Sequence, residues 1–397
     1  MQYHFEQLKS FEFNSQIWDV KYKNIPLWFY IRGRVQKDTP STTVITLNFK
    51  RFFLSFFSTI KFLIKKKNYT HMFFVSGRKR LVDICEAELG KGDEACFFIK
   101  YESITETWSN KRNEYDAYFL EFIRYLFRKF AFYFCYQNYK SKVCMLNEIS
   151  LKGGVYINSG IISKGVSDAI GDSFYYRFLD IFIIKNNPMV GYSCCVIPMA
   201  EKFLNHFNSF ELQHGVIHSK HPGYAFVPYI KNSLLLYDKT YARILEDIKY
   251  SGPYRYSGLD VYNIEEESNN KYQFVIFTGV CEVFSKIISS FVENYPSDLI
   301  KIKKHPRDTY KYSLDSSYFI DSYNAADIIY PIVLKSTVID DFTALGKTVF
   351  LFNYLKLTGQ ELEELIIDVN EVYNRNGNLK CEFFSDFSEL IEGLNEF

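Results

Sequence analysis

The sequence predicts an α/β protein of two domains, each built on a doubly wound parallel sheet. Three observations carry this expectation. The 397 residues exceed what one ordinary core organises and suit two domains of roughly 150–200 residues each. From residue 271 onward, short apolar runs rich in β-formers alternate with helical patterns at the spacing of strand–helix–strand units. Before them lies a polar, acidic stretch, 263–271, whose composition marks a linker, with Gly252-Pro253 as a second place for the boundary. The expected division is 1–262, 271–380 and a terminal segment 381–397.

In chain order, the first pronounced pattern is 49–67. Phe49, Phe52, Phe53, Phe56, Phe57, Ile60, Leu63 and Ile64 fall at helical spacing, and Lys50, Arg51, Lys61, Lys65, Lys66 and Lys67 surround them. Such a basic amphipathic helix lies in an anionic membrane interface, or else it is a core helix with a solvated basic flank; the sequence leaves both open. The run 119–134, with Arg124, Arg128 and Lys129, is apolar all round and is expected in the core. Residues 72–75, 154–158 and 233–237 read as strands of a first sheet. The stretch from Gly165 to Gly171 reads as a loop carrying Asp168.

The second sheet is expected to start with Tyr272–Phe277, which ends in Thr278-Gly279. A helical pattern near 282–294 stops at Pro296, and Leu299–Lys303 alternates into His305-Pro306. A short strand at 318–320, a short helix around 323–326 and a strand at 327–330 precede a loop with Ser336-Thr337. A helix over 338–345 closes at Gly346, a residue suited to a left-handed helix end, and 348–352 is a further strand. Residues 358–397 hold two acidic helical patterns, the last expected to cross back onto the N-terminal domain.

Composition narrows the class further. The 39 Phe and 32 Tyr, with Lys far exceeding Arg, follow more simply from an AT-rich gene than from ligand stacking. The net charge of +1 hides an asymmetry: residues 1–150 hold 24 Lys and Arg against 15 Asp and Glu, whereas 151–397 hold 23 against 31. A basic N-terminal half favours an anionic surface or acceptor there, and nothing in the pattern marks a nucleic-acid binder. The eight cysteines form no CxxC pair and no zinc spacing, and read as reduced thiols. Without an apolar leader after Met1 or an uncharged apolar run of ~18–20 residues, the expected location is the cytoplasm, peripherally on the inner face of the membrane.

The sharpest chemical feature is Glu211-Leu212-Gln213-His214-Gly215-Val216-Ile217-His218, with His221-Pro222-Gly223-Tyr224 behind it. It reads as a metal site, an acid–base and acceptor-binding loop, or a hydrogen-bonded structural loop. The metal reading needs carboxylate or further His ligands nearby. Imidazole takes a proton near neutral pH and Gly215 admits a substrate to the backbone, so the second reading is favoured. His214 is then the candidate base, with Glu211 or Asp168 as substitutes, and Gln213, Gly215, His218 and His221 as acceptor-binding residues. A second cluster, Lys303-Lys304-His305-Pro306-Arg307, follows an expected strand, where open α/β sheets gather ligands. Ser336 and Thr337 precede a helix that begins Val338-Ile339-Asp340-Asp341-Phe342, and this pair is expected on the strand end neighbouring the His305 cluster.

The order Gln213-His214-Gly215, His305-Pro306, Ser336-Thr337 with Asp340-Asp341-Phe342, then Gly346-Lys347-Thr348-Val349 resembles bacterial capsule and lipopolysaccharide glycosyltransferases of the GT-B fold. Within that group it is similar to Kdo transferases and polysialyltransferases, and to the CDP-glycerol glycerophosphotransferases. Asn24-Ile25-Pro26-Leu27-Trp28 with Ile31-Arg32 is similar to the opening of many polysaccharide-cluster proteins. The resemblance covers about 210–355 and, loosely, the N-terminal third. It implies two Rossmann-like domains facing a cleft, and a cytidine-linked sugar donor whose phosphate is held by His305, Ser336 and Thr337; Lys303 and Lys304 join them as cations at the same strand end, suited to phosphate. It implies nucleoside contacts from Gly279, Pro306 and Asp340, and an oligosaccharide or lipid-linked glycan as acceptor. Ser336-Thr337 departs from the commoner Ser-Ser, and Asp340 stands where several relatives have a glutamate. No Asp-x-Asp triplet occurs, so no metal or other cofactor is expected beyond the activated sugar. A CDP-alditol phosphotransferase and a non-catalytic polysaccharide-binding protein are the alternative readings.

Overall fold

The structure, a computed structural model, describes residues 5–37, 48–76, 95–100, 113–184, 190–193, 200–204, 209–213, 217, 221, 223–236, 239, 241–256, 271–279, 282–305, 308, 310–334, 338–353, 366, 369–370 and 379–395. The chain divides into two units, Met1–Leu259 and Asp260–Phe397. Both are α/β units with a parallel sheet. Among the described residues no helix is long and apolar enough to cross a membrane.

The first unit opens with α1 (Phe5–Asn14), a small antiparallel pair β1 (Lys21–Tyr22) and β2 (Ile25–Pro26), then α2 (Trp28–Lys37) and α3 (Phe49–Lys65). Its sheet is formed by β3 (His71–Ser76), β4 (Ala95–Lys100), β5 (Glu114–Asp116), β6 (Val190–Ser193), β7 (Ser209–Leu212), β8 (Ser233–Leu236) and β9 (Tyr254–Tyr256). Their order is β5-β4-β3-β6-β7-β8-β9, parallel at every pairing. The helices α4 (Tyr118–Phe134), α5 (Tyr136–Lys152) and α6 (Ser159–Leu179) separate β5 from β6, with a π turn over Asp180–Ile184; α7 (Glu201–Leu204) and α8 (Tyr241–Asp247) follow.

Interior parallel strands are covered on both faces and so read as unbroken apolar runs. Phe73, Phe74, Phe97 and Phe98 are accordingly all buried. The β3–β4 register sets Phe73 beside Phe97 and Phe74 beside Phe98, and the rings stack at 5.1 and 5.3 Å on alternate faces. A second core joins α1, α2, α5 and α6 around Trp18 and Trp28. Residues 154–158, expected as a strand, link α5 to α6 instead. Gly154 takes φ 73° to end α5, with Val155 N–H donating to Ser150 O at 2.8 Å, and Asn158 caps α6 by accepting from Gly160 N.

The expected loop from Gly165 to Gly171 is the middle of α6. Its glycines permit close helix packing: a Cβ at Gly165 would lie 2.4 Å from Ile31 Cγ1 of α2, and one at Gly171 2.5 Å from the Arg128 backbone of α4. Asp168 is therefore a buried helical carboxylate, paired with Arg34 and with Lys164 at 2.7 Å. One turn on, Asp172 is fully buried and accepts from Arg124 at 2.9 and 3.0 Å, from both Arg128 donors at 2.7 Å and from the Tyr30 hydroxyl at 2.9 Å. Burial alone would raise its pKa, but the two guanidiniums hold the carboxyl well below the usual carboxylate range. Nearby, Glu12 accepts from Trp28 Nε1 at 2.7 Å and pairs with the buried Arg32, whose Nη1 donates to Ala225 O at 2.5 Å.

For the aromatic helices the structure shows which residues α3 buries, where the sequence left two readings open, and limits the expectation made for α4. The apolar stripe of α3 does not face the core: Phe49, Phe53, Leu54, Phe57, Ile60 and Ile64 are exposed. The buried positions are Ser55, Ser58, Thr59 and Phe62. The Ser55 hydroxyl donates to Asp116 O and accepts from Phe119 N, and Ser58 accepts from Asp116 N, so hydroxyls hold the helix against the β5–α4 turn. Helix α4 is a core helix on one face only, where Leu120 joins the sheet's core with Phe119, Ile123 and Phe127 packed against it. It buries Leu120 and Ala131 and leaves Leu126, Phe130, Tyr133 and Phe134 exposed, and its arginines pair with Asp172 of α6.

In the second unit β10 (Tyr272–Phe277), β11 (Ile300–Lys303), β12 (Ile328–Val333), β13 (Thr348–Phe352) and β14 (Lys380–Phe384) form a parallel sheet in the order β11-β10-β12-β13-β14. Helix α9 (Glu282–Val292) buries Phe284, Ile288 and Val292, one residue per turn. Helix α10 (Val338–Ala344) ends at Gly346, φ 66°, in a Schellman arrangement, with Lys347 N–H donating to Phe342 O and Gly346 N–H to Thr343 O. The expected strand at 318–320 is a 3₁₀ turn over Ser316–Tyr318 with a single bridge from Phe319 to Ile302. The segment 381–397, expected as a helix crossing back, begins inside edge strand β14. Its helix α11 (Phe387–Asn395) buries Phe387 and Ile391 in this unit's own core.

Removing the Asp172 charge leaves two buried guanidiniums without their counter-ion. Asp172→Asn is therefore expected to destabilise the protein by about 3–5 kcal/mol in urea unfolding. The depressed pKa fixes the sign of the pH effect: the stabilisation is complete above the ordinary aspartate value of 3.8 and is lost as pH falls below it. The variant should thus differ least from the native chain at acid pH.

Candidate functional site

In the second sheet the first strand, β10, lies inside, so the chain leaves it toward β11 on one side and reaches β12 on the other. Ligands of open α/β sheets bind beyond the carboxyl ends of strands at such a reversal. Two described segments meet the criterion, Thr278-Gly279 after β10 and Lys304-His305 after β11; residues 335–337, next in the chain after Leu334, lie outside the described residues. The His305 and Ser336-Thr337 segments were expected on neighbouring strands. They follow strands separated by β10, because the first strand of a doubly wound sheet is flanked by later ones.

Thr278 ties the centre of this edge to one flank. It is buried, its N–H donates to Lys303 O at 3.0 Å, and its hydroxyl accepts from the backbone N–H of His305 at 2.8 Å. Gly279 permits the other approach, since a Cβ there would lie 2.7 Å from Leu334 Cδ1 at the end of β12. After His305 the loop is organised by Asp308. Its N–H donates to His305 O, and its carboxylate accepts from Tyr310 N at 3.0 Å, the Tyr312 hydroxyl at 2.8 Å and Ser285 Oγ at 3.4 Å. Burial, with this carboxylate alongside, pushes the Tyr312 phenol up.

The two expected phosphate lysines have structural contacts. Lys303 Nζ donates to Asp321 O, and partial burial lowers its pKa; Lys304 Nζ donates to Tyr310 O at 3.1 Å and lies 4.9 Å above the Tyr312 ring. An ammonium has three donors, so these contacts leave each lysine further hydrogen-bonding capacity. Asp340 and Asp341 are buried in the first turn of α10, and Asp341 accepts from the Tyr323 hydroxyl at 2.7 Å. With 6% exposure, Asp340 presents little surface to a nucleoside. Pro306, Ser336 and Thr337 lie outside the described residues, as do His214, Gly215 and His218.

In the first unit Glu211 is on β7 and Gln213 follows it, buried, with its N–H donating to Leu235 O at 2.9 Å. Glu211 accepts from the Tyr224 hydroxyl at 2.6 Å and pairs with Lys202, whose ammonium also lies 4.4 Å above the Tyr224 ring. His221 accepts the Gly223 N–H on Nδ1 at 3.1 Å, which puts the proton of a neutral ring on Nε2, and packs on Tyr224 with centroids 4.7 Å apart. Glu211, Lys202, Tyr224 and His221 thus form one cluster at the carboxyl end of β7. Asp168 belongs instead to the helical layer, held by Arg34 and Lys164.

Sequence reasoning missed Thr278, Asp308, Lys202 and Tyr224 as organisers of these edges. Asp308 carried a local signal, an Asx turn onto the amide two residues ahead. Lys202 carried none, since its partner Glu211 is reached only through the fold.

No protein-family profile matches the chain, and no curated protein matches it in sequence.

If Thr278 holds the His305 segment, Thr278→Val should cost about 0.5–1.5 kcal/mol in urea unfolding and speed amide exchange at 304–308. Unchanged exchange there would show that the hydroxyl does not fix the loop.

Proposed function

We propose that the chain is a glycosyltransferase of the GT-B arrangement, moving a sugar from a cytidine-linked nucleotide donor to a growing bacterial surface polysaccharide. The observation that supports this best is the concentration of chemistry at the β10–β12 switch point. A histidine segment pinned through Thr278, a glycine at the central strand end and the Ser336-Thr337 pair follow adjacent strands of one parallel sheet. Their order along the chain is that of the transferases the sequence resembles.

On this reading His305, Ser336 and Thr337 hold the donor phosphate, and Gly279 admits the nucleotide close to the backbone. The cluster beyond β7 serves the acceptor: Glu211, oriented by Lys202 and Tyr224, shapes the strand end from which Gln213 and His214 continue. His214 takes the proton of the acceptor hydroxyl as its oxygen bonds to the anomeric carbon. The bond from that carbon to the donor phosphate breaks, and the nucleotide leaves with the electron pair. Hydrogen-bond donors and cations fixed beforehand around the departing phosphate are the most effective way to lower such a barrier.

The reading makes nucleotide binding its first test. In a thermal-unfolding panel of CMP, CDP, UDP and GDP, the cytidine nucleotides should stabilise most, by about 2.7 kcal/mol at a hundred times Kd. A panel in which none shifts unfolding would sink the proposal. His305→Ala, and Ser336→Ala with Thr337→Ala, should each lose that shift while the free protein unfolds as before.

His214→Asn separates base from phosphate ligand. As base, it should lower turnover by roughly 10²–10⁴ with CMP affinity nearly unchanged. A variant that keeps most of its turnover removes His214 from the mechanism.

A further inference from the structure

Helices α3 and α4 turn aromatic side chains outward together. The stripe Phe53, Phe57, Ile60 and Ile64 of α3 is exposed, as are Phe130 and Phe134 of α4. An amphipathic helix of a water-surrounded protein normally buries its apolar stripe and solvates its polar one. Helix α3 does the reverse, docking through Ser55 and Ser58 hydroxyls. Together with the buried Phe62, those hydroxyls attach it to the unit, and the exposed Phe53, Phe57, Ile60 and Ile64 do not.

The two helices touch through their first turns. Phe52 and Phe56 of α3 pack edge-on against Phe119 and Phe122 of α4 at 5.1 to 5.5 Å, so the helices lie side by side. Past the end of α3, Lys66 donates to the carbonyls of Phe182 and Ile183, which brings the exposed Ile181 and Phe182 alongside. The charges of α3 have one sign, while Glu121 of α4 and Asp180 at the head of the turn are the carboxylates nearest it in the other two elements. Residues 49–68 contain six Lys and Arg and no Asp or Glu, and Lys50, Lys61 and Lys67 are exposed. The acidic residue of α4, Glu121, lies against Arg124 with its side chain 16% exposed.

We propose that α3, α4 and the 181–182 turn together form a docking surface for an anionic lipid bilayer. Its aromatic residues enter the interface and the lysines sit at headgroup level. A helix of 17 residues is about 25 Å long, and its flanking lysines keep it in the membrane plane. Charge decides between this occupant and a second copy of the chain. A symmetric dimer would set the patch against itself, lysine facing lysine, with no carboxylate on α3 to offset them, whereas anionic headgroups satisfy every exposed cation. This surface is independent of the transfer reaction, and its test does not use activity.

The full chain is sedimented with vesicles of phosphatidylcholine alone and of equal parts phosphatidylcholine and phosphatidylglycerol. The expected result is binding to the anionic vesicles, weakened by salt. Lys61→Glu with Lys67→Glu should reduce it about tenfold or more. Phe57→Ser with Ile64→Ser on α3, and separately Phe130→Ser with Phe134→Ser on α4, should each reduce it severalfold, with circular dichroism unchanged because all four side chains are exposed. Three results overturn the proposal: no binding of the native chain to either vesicle, an α4 variant that binds as the native chain does, or a native dimer that the α3 variant converts to monomer without any vesicle binding.

Discussion

A parallel sheet whose first strand lies in its interior must send later strands to both sides, and the carboxyl ends of the strands then part at the reversal. Both sheets of this chain are built so. In the first, β3 precedes β4 and β5 on one side and β6 to β9 on the other; in the second, β10 precedes β11 on one side and β12 to β14 on the other. Each sheet thereby gains an edge where loops from non-consecutive strands gather. The rest of each unit serves to hold those edges, as Thr278 does for His305 and as Lys202 and Tyr224 do for Glu211.

The helical layer of the first unit is held differently, by buried charge. Ionised groups in an apolar interior are costly unless fully paired, and Asp172 is paired with Arg124, Arg128 and Tyr30 at once. This arrangement gives the α4–α6 contact a polar centre beside the rings of Phe127, Phe174 and Phe178, and the phenylalanines at the end of α4, Phe130 and Phe134, stay exposed. The same logic governs α3, where Ser55 and Ser58 satisfy the backbone of the β5–α4 turn. Two helices rich in Phe thus attach through polar groups as well as through Phe62 and Leu120, and leave part of their apolar surface outside.

The sequence reading succeeded where local chemistry decides structure. Pro296 and Gly346 close helices at the positions their backbone preferences dictate, and the apolar runs of β10, β12 and β13 need no partner to be recognised. It failed where the third dimension decides. The place of β11 on the far side of β10 is set by the crossover and leaves no mark in the residues. Gly165 and Gly171 looked like loop glycines because a glycine that admits Ile31 or the Arg128 backbone is indistinguishable, in one sequence, from a glycine that bends the chain. Periodicity announced two faces on α3, yet which face turns inward depended on the distant Asp116 backbone. At the candidate site, the segments proposed to hold phosphate were legible as motifs, whereas Asp308 and Thr278 emerged only with their hydrogen bonds.

The proposed function makes the carboxyl edge of the second sheet the seat of a nucleotide phosphate. Amide hydrogen exchange on the full chain, with and without saturating CMP, tests that most directly. The account expects CMP to slow exchange in Thr278–Gly279, in 304–308 and in 335–340, with the edge strands β9 and β14 unchanged. Protection absent from those three segments, or confined to the first unit, would contradict it.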